Sequence, residues 1–275
     1  MATHQPEPEP PAATPTGAAP PTRRRLVGVS TKMYFSAART DSFVSTILTL
    51  LAAAPLDTTI DIFIIPDHVT LAGVAQQVAA APAAPARSVL VGAQDCHSEL
   101  AGAFTGAVSP AVLAEVGCGI VELGHAERRR LFGETDASVA AKARAVVACG
   151  MVPLVCVGER EVAAVGDAAD EVMGQVRSLL AAVPTDAEVV LAYEPVWAIG
   201  AAAPAGVEHV CGVVRRVRES EEVRGRKGVT RIVYGGSAGP GLFRRLRGEV
   251  DGLFLGRFAH EPEQFYKTIR EVAEG

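Results

Sequence analysis

The chain has 275 residues, 49% of them hydrophobic, which suits one large domain or two small ones. Its formal net charge of −5 argues against a nucleic-acid partner, and no stretch is long and apolar enough to span a membrane. Five cysteines (Cys96, Cys118, Cys149, Cys156, Cys211) show neither paired nor metal-ligand spacing. They read as small apolar residues in a reducing cytoplasm, with no metal site.

The first 25 residues differ in kind: they hold seven of the 18 prolines, almost no large apolar side chain, and end in Arg23-Arg24-Arg25. Such a segment buries too little surface to repay its ordering, so a disordered tail is expected over residues 1–25. Deleting residues 1–22 should leave activity and melting temperature nearly unchanged. No apolar run follows the arginines, so a secretory or twin-arginine signal is not supported. One domain over residues 26–275 remains.

Short β-rich runs then recur: Leu26–Val29, Ile60–Ile65, Val89–Val91, Ile120–Leu123, Val152–Val155, Val189–Tyr193, Arg231–Tyr234 and Gly252–Leu255. Helical stretches lie between several of them, such as Asp41–Ala53, Ala137–Ala148, Asp167–Ala181, Gly206–Glu219 and Glu261–Val272. Continuous apolar runs suit strands buried on both faces. Strand alternating with helix implies parallel strands with crossovers. Eight such units in 250 residues match a closed eight-stranded parallel (β/α)8 barrel of the TIM type. An open doubly wound sheet is the rival, weakened because no strand is followed by Gly-x-Gly-x-x-Gly.

In such a barrel, chemistry sits where the strands end. Glu194 caps the apolar run Val189–Tyr193 and is followed by Pro195-Val196-Trp197 and then Gly200. This pattern suits a carboxylate base on a rigid strand tip beneath a hinged lid, although an ordinary surface glutamate would look similar. His125 follows the fourth strand and opens His-Ala-Glu-Arg-Arg-Arg. An imidazole at a helix N-terminus is held neutral by the dipole's positive end and can donate a proton to a carbonyl oxygen. A loop-capping histidine is the plainer reading, and Glu127 and Arg128 read as ion-pairing scaffold.

Lys32 is one of only four lysines and lies just past the first strand. Its ammonium could neutralise an oxyanion or hold a phosphate, or could simply be solvated. Gly235-Gly236-Ser237 and Gly256 end the seventh and eighth strands. Glycine lets backbone N–H groups approach an anion, so these turns suit a phosphate cradle, or ordinary turns. Together the set fits proton abstraction beside a carbonyl: Glu194 takes a C–H proton while His125 and Lys32 stabilise the enediolate. No cofactor is required.

These residues resemble those of the triosephosphate isomerase family. The matching stretches are Val121–Asp136, Ala192–Gly200, Tyr234–Ser237, Asp251–Gly256, Gly102–Gly106 with Ser109, and Pro153–Glu159. They run in family order over nearly the whole body. That family is itself a standard example of a glutamate base, a neutral histidine and a closing loop, so the resemblance corroborates this chemistry without being independent of it. It implies Glu194 as base, His125 as electrophile and Lys32 as cation. It further implies that Gly200, Gly236, Ser237 and Gly256 hold the phosphate. The 102–106 loop, with Thr105 at its tip, would enter a second subunit of a homodimer and help fix Lys32. A cytoplasmic place in glycolysis and gluconeogenesis is implied as well.

Four departures stand out. The family's first-strand Asn-Trp-Lys reads Ser30-Thr31-Lys32, and Ser30 is shorter with one hydroxyl donor. The serine after the histidine is Ala126. The lid tip reads Ala201-Ala202-Ala203 in place of Thr-Gly-Lys. The second glycine after the eighth strand is Arg257, which could bind phosphate, face solvent or shift the cradle. Three readings follow. The first is triosephosphate isomerase, interconverting dihydroxyacetone phosphate and glyceraldehyde 3-phosphate. The second is an isomerase of a four-carbon ketose phosphate of the erythrulose phosphate type, for which Ser30 frees space and Arg257 adds charge. The third is a noncatalytic phosphate-binding homologue.

Overall fold

The computed structural model describes residues 24–54, 56, 60–82, 89–201, 204–236 and 238–275. The expected tail lies outside these residues, apart from Arg24 and Arg25. Eight parallel strands close a barrel in sequence order: β1 Arg25–Ser30, β2 Ile60–Ile65, β3 Val89–Ala93, β4 Ile120–Leu123, β5 Val152–Val157, β6 Val189–Tyr193, β7 Thr230–Tyr234 and β8 Gly252–Leu255. The (β/α)8 architecture is therefore the one the strand spacing predicts, and the open sheet is excluded.

The outer layer among the described residues comprises α1 Ala37–Ala53, α2 Leu71–Ala80, α3 Pro110–Glu115, α4 Ala126–Phe132, α5 Asp136–Ala148, α6 Val165–Ala182, α7 Val207–Glu219, α8 Glu221–Arg224, α9 Leu242–Leu246 and α10 Pro262–Glu274. Helix α1 starts four residues before the expected Asp41, because the Ser36 side chain accepts from Arg39 N and fixes the first turn. Its Phe43, Val44, Ile47, Leu48 and Leu51 are buried, the spacing of one helical face. A reciprocal Thr135–Ser138 capping box starts α5. Pro262 occupies the first turn of α10, where its missing N–H costs nothing. Helix α9 begins at Leu242, directly after Gly241 with φ 85°.

Strand alternation builds two cores. On β2, Ile60, Ile62 and Ile64 face the helices and belong to the outer core, while Phe63 and Ile65 fill the barrel interior with Leu26, Ile120, Leu154, Cys156, Val190, Ala192, Val233 and Phe254. Gly28 makes room for Phe63: a Cβ there would lie 2.2 Å from that ring. The barrel floor is closed by buried Arg231, paired to Asp61 at 2.6 Å and to Glu188. No helix among the described residues is long and apolar enough to cross a membrane.

Candidate active site

At the C-terminal ends of the strands lies an open cavity of about 820 Å³. Ser30, Lys32, His125, Glu194, Gly200, Gly236, Gly256 and Arg257 all line it, although they come from five different strand ends and the loops that follow them. Ser237 is outside the described residues, as are Ala202 and Ala203 of the lid tip.

Glu194 follows β6 directly. Its backbone N donates to Val157 O at 2.8 Å, extending the β5–β6 ladder and anchoring the residue. Two glycines admit it. A Cβ on Gly158 would sit 1.9 Å from the Glu194 carbonyl oxygen, and one on Gly235 would sit 2.3 Å from Glu194 Oε1. The side chain is buried at 6% exposure, yet its Oε2 has no hydrogen-bond partner among the described residues. The nearest polar group is His125 Nε2 at 3.5 Å. A buried carboxylate oxygen left unpaired is costly, and Glu194 lines the cavity.

His125 caps α4, its Nδ1 accepting from Glu127 N at 3.0 Å. A ring nitrogen that accepts from a backbone N–H carries no proton, so the imidazole is the Nε2–H tautomer. That donor faces the cavity; Lys32 Nζ lies 3.3 Å away, and because an ammonium only donates, the two are neighbours that can donate to one shared acceptor, not hydrogen-bond partners. Lys32 adopts a left-handed backbone with φ 48°, the one non-glycine residue with positive φ among the described residues. Such a conformation costs roughly 1–3 kcal/mol and persists where the surroundings enforce it. Gln94 Nε2 donates to its carbonyl at 2.8 Å, and its ammonium donates to Glu127 Oε1 at 2.9 Å. Burial opposes the charge on Lys32, but the Glu127 hydrogen bond and the charges of Glu127, Glu194 and Glu122 outweigh it, and the pKa lies above its ordinary value. Lys32 is thus a fixed cation. Glu127 scaffolds it as the sequence suggests, while Arg128 pairs with Glu134 at 2.6 Å and Asp95 at 2.7 Å.

The lid springs from a rigid root. Glu159, fully buried, accepts from Tyr193 Oη at 3.0 Å and Trp197 Nε1 at 2.9 Å, and lies 2.9 Å from His209 Nε2. Beyond the lid, Ala205 N donates to Tyr234 Oη at 3.2 Å. Gly200 has φ 72° and Gly236 φ 89°, conformations that favour glycine. The Arg257 guanidinium approaches to 3.9 Å from where a Gly200 Cβ would lie, so it spans from the β8 end to the start of the lid. Arg257 thus reaches toward the β6 loop while remaining exposed.

Several cavity residues escaped the sequence reading as site residues, and one of them is a buried carboxylate. Glu122, on β4, is 4% exposed and lines the same cavity. Burial pushes its carboxyl up to about 7, with Glu194 acting in the same direction and His125, Lys32 and a Ser30 hydrogen bond acting against it. The signal was a lone carboxylate inside the apolar run Ile120–Leu123. The arrangement as a whole offers an unpaired carboxylate, a neutral imidazole N–H and a cation around one point, with glycine turns and an arginine beside them. It can move a proton next to a carbonyl and stabilise the enediolate.

Comparison with known proteins fits this geometry. The sequence profile of the triosephosphate isomerase family matches residues 25–272. An L-erythrulose-1-phosphate isomerase of Pectobacterium atrosepticum is 42% identical over 255 residues, covering 91% of this chain and 96% of that protein. A namesake from Rhizobium etli is 42% identical over 194 residues, covering 68% and 72%. A triosephosphate isomerase of Rhodopirellula baltica is 36% identical over 259 residues, covering 90% and 97%.

Proposed function

Given that the chain belongs to the triosephosphate isomerase family and is an isomerase of the aldose–ketose type, we propose that its substrate is a four-carbon ketose phosphate, of the erythrulose 1-phosphate type. The observation that carries this reading is the 42% identity, over nine-tenths of the chain, to an L-erythrulose-1-phosphate isomerase. Triosephosphate isomerases are 36% identical over 90% of this chain and 40% identical over 74% of it. The triose reading, placed first on sequence, therefore moves to second.

In this reading Glu194 Oε2 removes the proton from the carbon beside the substrate carbonyl. The electron pair moves into a carbon–carbon double bond and the carbonyl oxygen becomes an enediolate oxygen. His125 Nε2–H donates to that oxygen and the Lys32 ammonium stabilises its charge. His125 then passes the proton between the two oxygens, and the acid form of Glu194 returns its proton to the former carbonyl carbon. Atoms and electrons balance without a co-reactant. The carbonyl moves by one carbon. On a triose the product is an aldose; where the reacting carbon carries a hydroxymethyl group, the product is another ketose phosphate. Gly200, Gly236, Ser237 and Gly256 hold the phosphate in this account, with Arg257 supplying the charge that the altered lid tip lacks.

Two wider features belong to the same reading. The free cysteines support a reducing cytoplasm as the place of action. The exposed 102–106 loop, with Phe104 at 44% exposure, supports a homodimer built through it. Comparing kcat/KM for erythrulose 1-phosphate and dihydroxyacetone phosphate tests the substrate assignment. A tetrulose preference of at least about tenfold is expected. A triose preference of that size overturns it.

A further inference from the structure

Glu122 is a costly residue for its place. It shares strand parity with Ile120, so both point into the barrel, where the other side chains form an apolar cluster including Ile65, Cys156 and Phe254. A carboxyl in such surroundings is penalised unless something repays it, and a leucine would pack there without cost. The proton-transfer machinery does not need it. Lys32 already has Glu127 at 2.9 Å as its counter-ion. Glu194 already presents an unpaired carboxylate oxygen. Ser30 lines the cavity with Glu122, and its hydroxyl favours the charged carboxyl; one hydroxyl leaves most of the carboxyl's hydrogen-bonding capacity to other groups.

The location says what could use it. Glu122 is the penultimate residue of β4, diametrically across the barrel order from β8, whose end carries Gly256 and Arg257. A ketose 1-phosphate keeps the same spacing between phosphate and carbonyl as dihydroxyacetone phosphate. Its phosphate and its reacting carbon can therefore occupy the same places in either case. The additional hydroxymethyl group hangs from the reacting carbon on the side away from the phosphate, and the side of the barrel away from β8 is the one where β4 carries Glu122. Ser30, 2% exposed, is short enough to leave space there.

We propose that Glu122, seated by Ser30, is the specificity-determining residue of this enzyme: its carboxyl hydrogen-bonds the terminal hydroxyl that a four-carbon ketose phosphate has and a triose phosphate lacks. The inference rests on the four-carbon reading. It assigns to this carboxyl the discrimination between substrates, and leaves the proton transfer to Glu194 and His125.

The test measures kcat/KM on erythrulose 1-phosphate and on dihydroxyacetone phosphate for wild type, Glu122→Leu and Glu122→Gln. The expected result is a fall of about 10–200-fold in the tetrulose-to-triose ratio for Glu122→Leu, and a smaller fall for Glu122→Gln, which keeps a hydrogen-bonding group. A merely structural role would lower both substrates together and leave the ratio where it was; that outcome overturns the proposal. If Glu122→Leu does not fold, the ratio in Glu122→Gln decides. A wild type that turns over only the triose defeats the four-carbon reading itself. A wild type that prefers the tetrulose, with a ratio unmoved by either variant, defeats this inference alone.

Discussion

His125 Nε2 and Glu194 Oε2 face each other at 3.5 Å, and that carboxylate oxygen accepts no hydrogen bond among the described residues. The base is thus held close to the imidazole without being spent on it. Glu194→Gln keeps the shape and removes the basicity. It is expected to lower kcat by at least ~10²–10⁴-fold while leaving the thermal melt near wild type. Steady-state kinetics with a parallel circular dichroism melt checks this, and a wild-type rate would show that another group takes the proton.

Gly235 controls where that carboxylate can be. A methyl group at this position would overlap Glu194 Cγ and Oε1, both at 2.3 Å, and the flexible end of the side chain is what gives way. Gly235→Ala should therefore lower kcat by on the order of 10²-fold, since a displacement of about 1 Å can cost that much. Stability should change little. A crystal structure of the variant would display the displaced carboxylate.

Glu122 makes stability depend on pH in a defined direction. Its folded pKa of about 7 lies above the ordinary 4.5 because burial, the largest cause, and Glu194 disfavour the charge more than His125, Lys32 and Ser30 favour it. Below about pH 4.5 the carboxyl is protonated in both folded and unfolded chains and contributes no difference. As pH rises from there to about 7 the unfolded chain releases its proton first, and stability falls. Above about 7 the penalty is complete, on the order of 3 kcal/mol. Glu122→Gln should accordingly gain in melting temperature over wild type at pH 8, and the gain should shrink toward pH 4.5. A gain independent of pH would contradict this.

Glu159 fixes the lid root through Trp197 Nε1, 2.9 Å away, in a fully buried position. Trp197→Phe removes one hydrogen bond to a buried carboxylate and is expected to cost about 1–3 kcal/mol in urea unfolding. Because Phe keeps the ring but not the donor, a cost near zero would mean that the indole N–H does not hold the hinge.

The 102–106 loop bears on assembly. Sedimentation equilibrium is expected to give a mass twice that of the 28.6 kDa chain. A monomer at micromolar concentration would remove the homodimer from the account.

The eight strands were legible because apolar runs such as Ile60–Ile65 and Val189–Tyr193 are bounded by polar strand tips, and both match the structure residue for residue. Glu194, His125 and Lys32 were legible for the same reason: each lies just past a strand end, and the barrel brings the strand ends together. The helix Leu71–Ala80 was not read. Its sequence is rich in small alanines with Gly73 in its first turn, and Thr70 makes no side-chain cap hydrogen bond. Glu122 was hidden by the barrel itself. Both faces of its strands are buried, so no polar alternation tells an inward residue from an outward one, and only the register places its carboxyl in the cavity. The left-handed backbone of Lys32 and the reach of Arg257 to Gly200 depend on tertiary packing that no local pattern encodes.

The most direct measurement follows erythrulose 1-phosphate in deuterium oxide by proton NMR, with dihydroxyacetone phosphate alongside and Glu194→Gln as control. The account predicts rapid transposition of the tetrulose carbonyl with deuterium at the newly formed C–H, slower turnover of the triose, and loss of exchange in Glu194→Gln. An inert tetrulose beside a rapidly isomerised triose would contradict it.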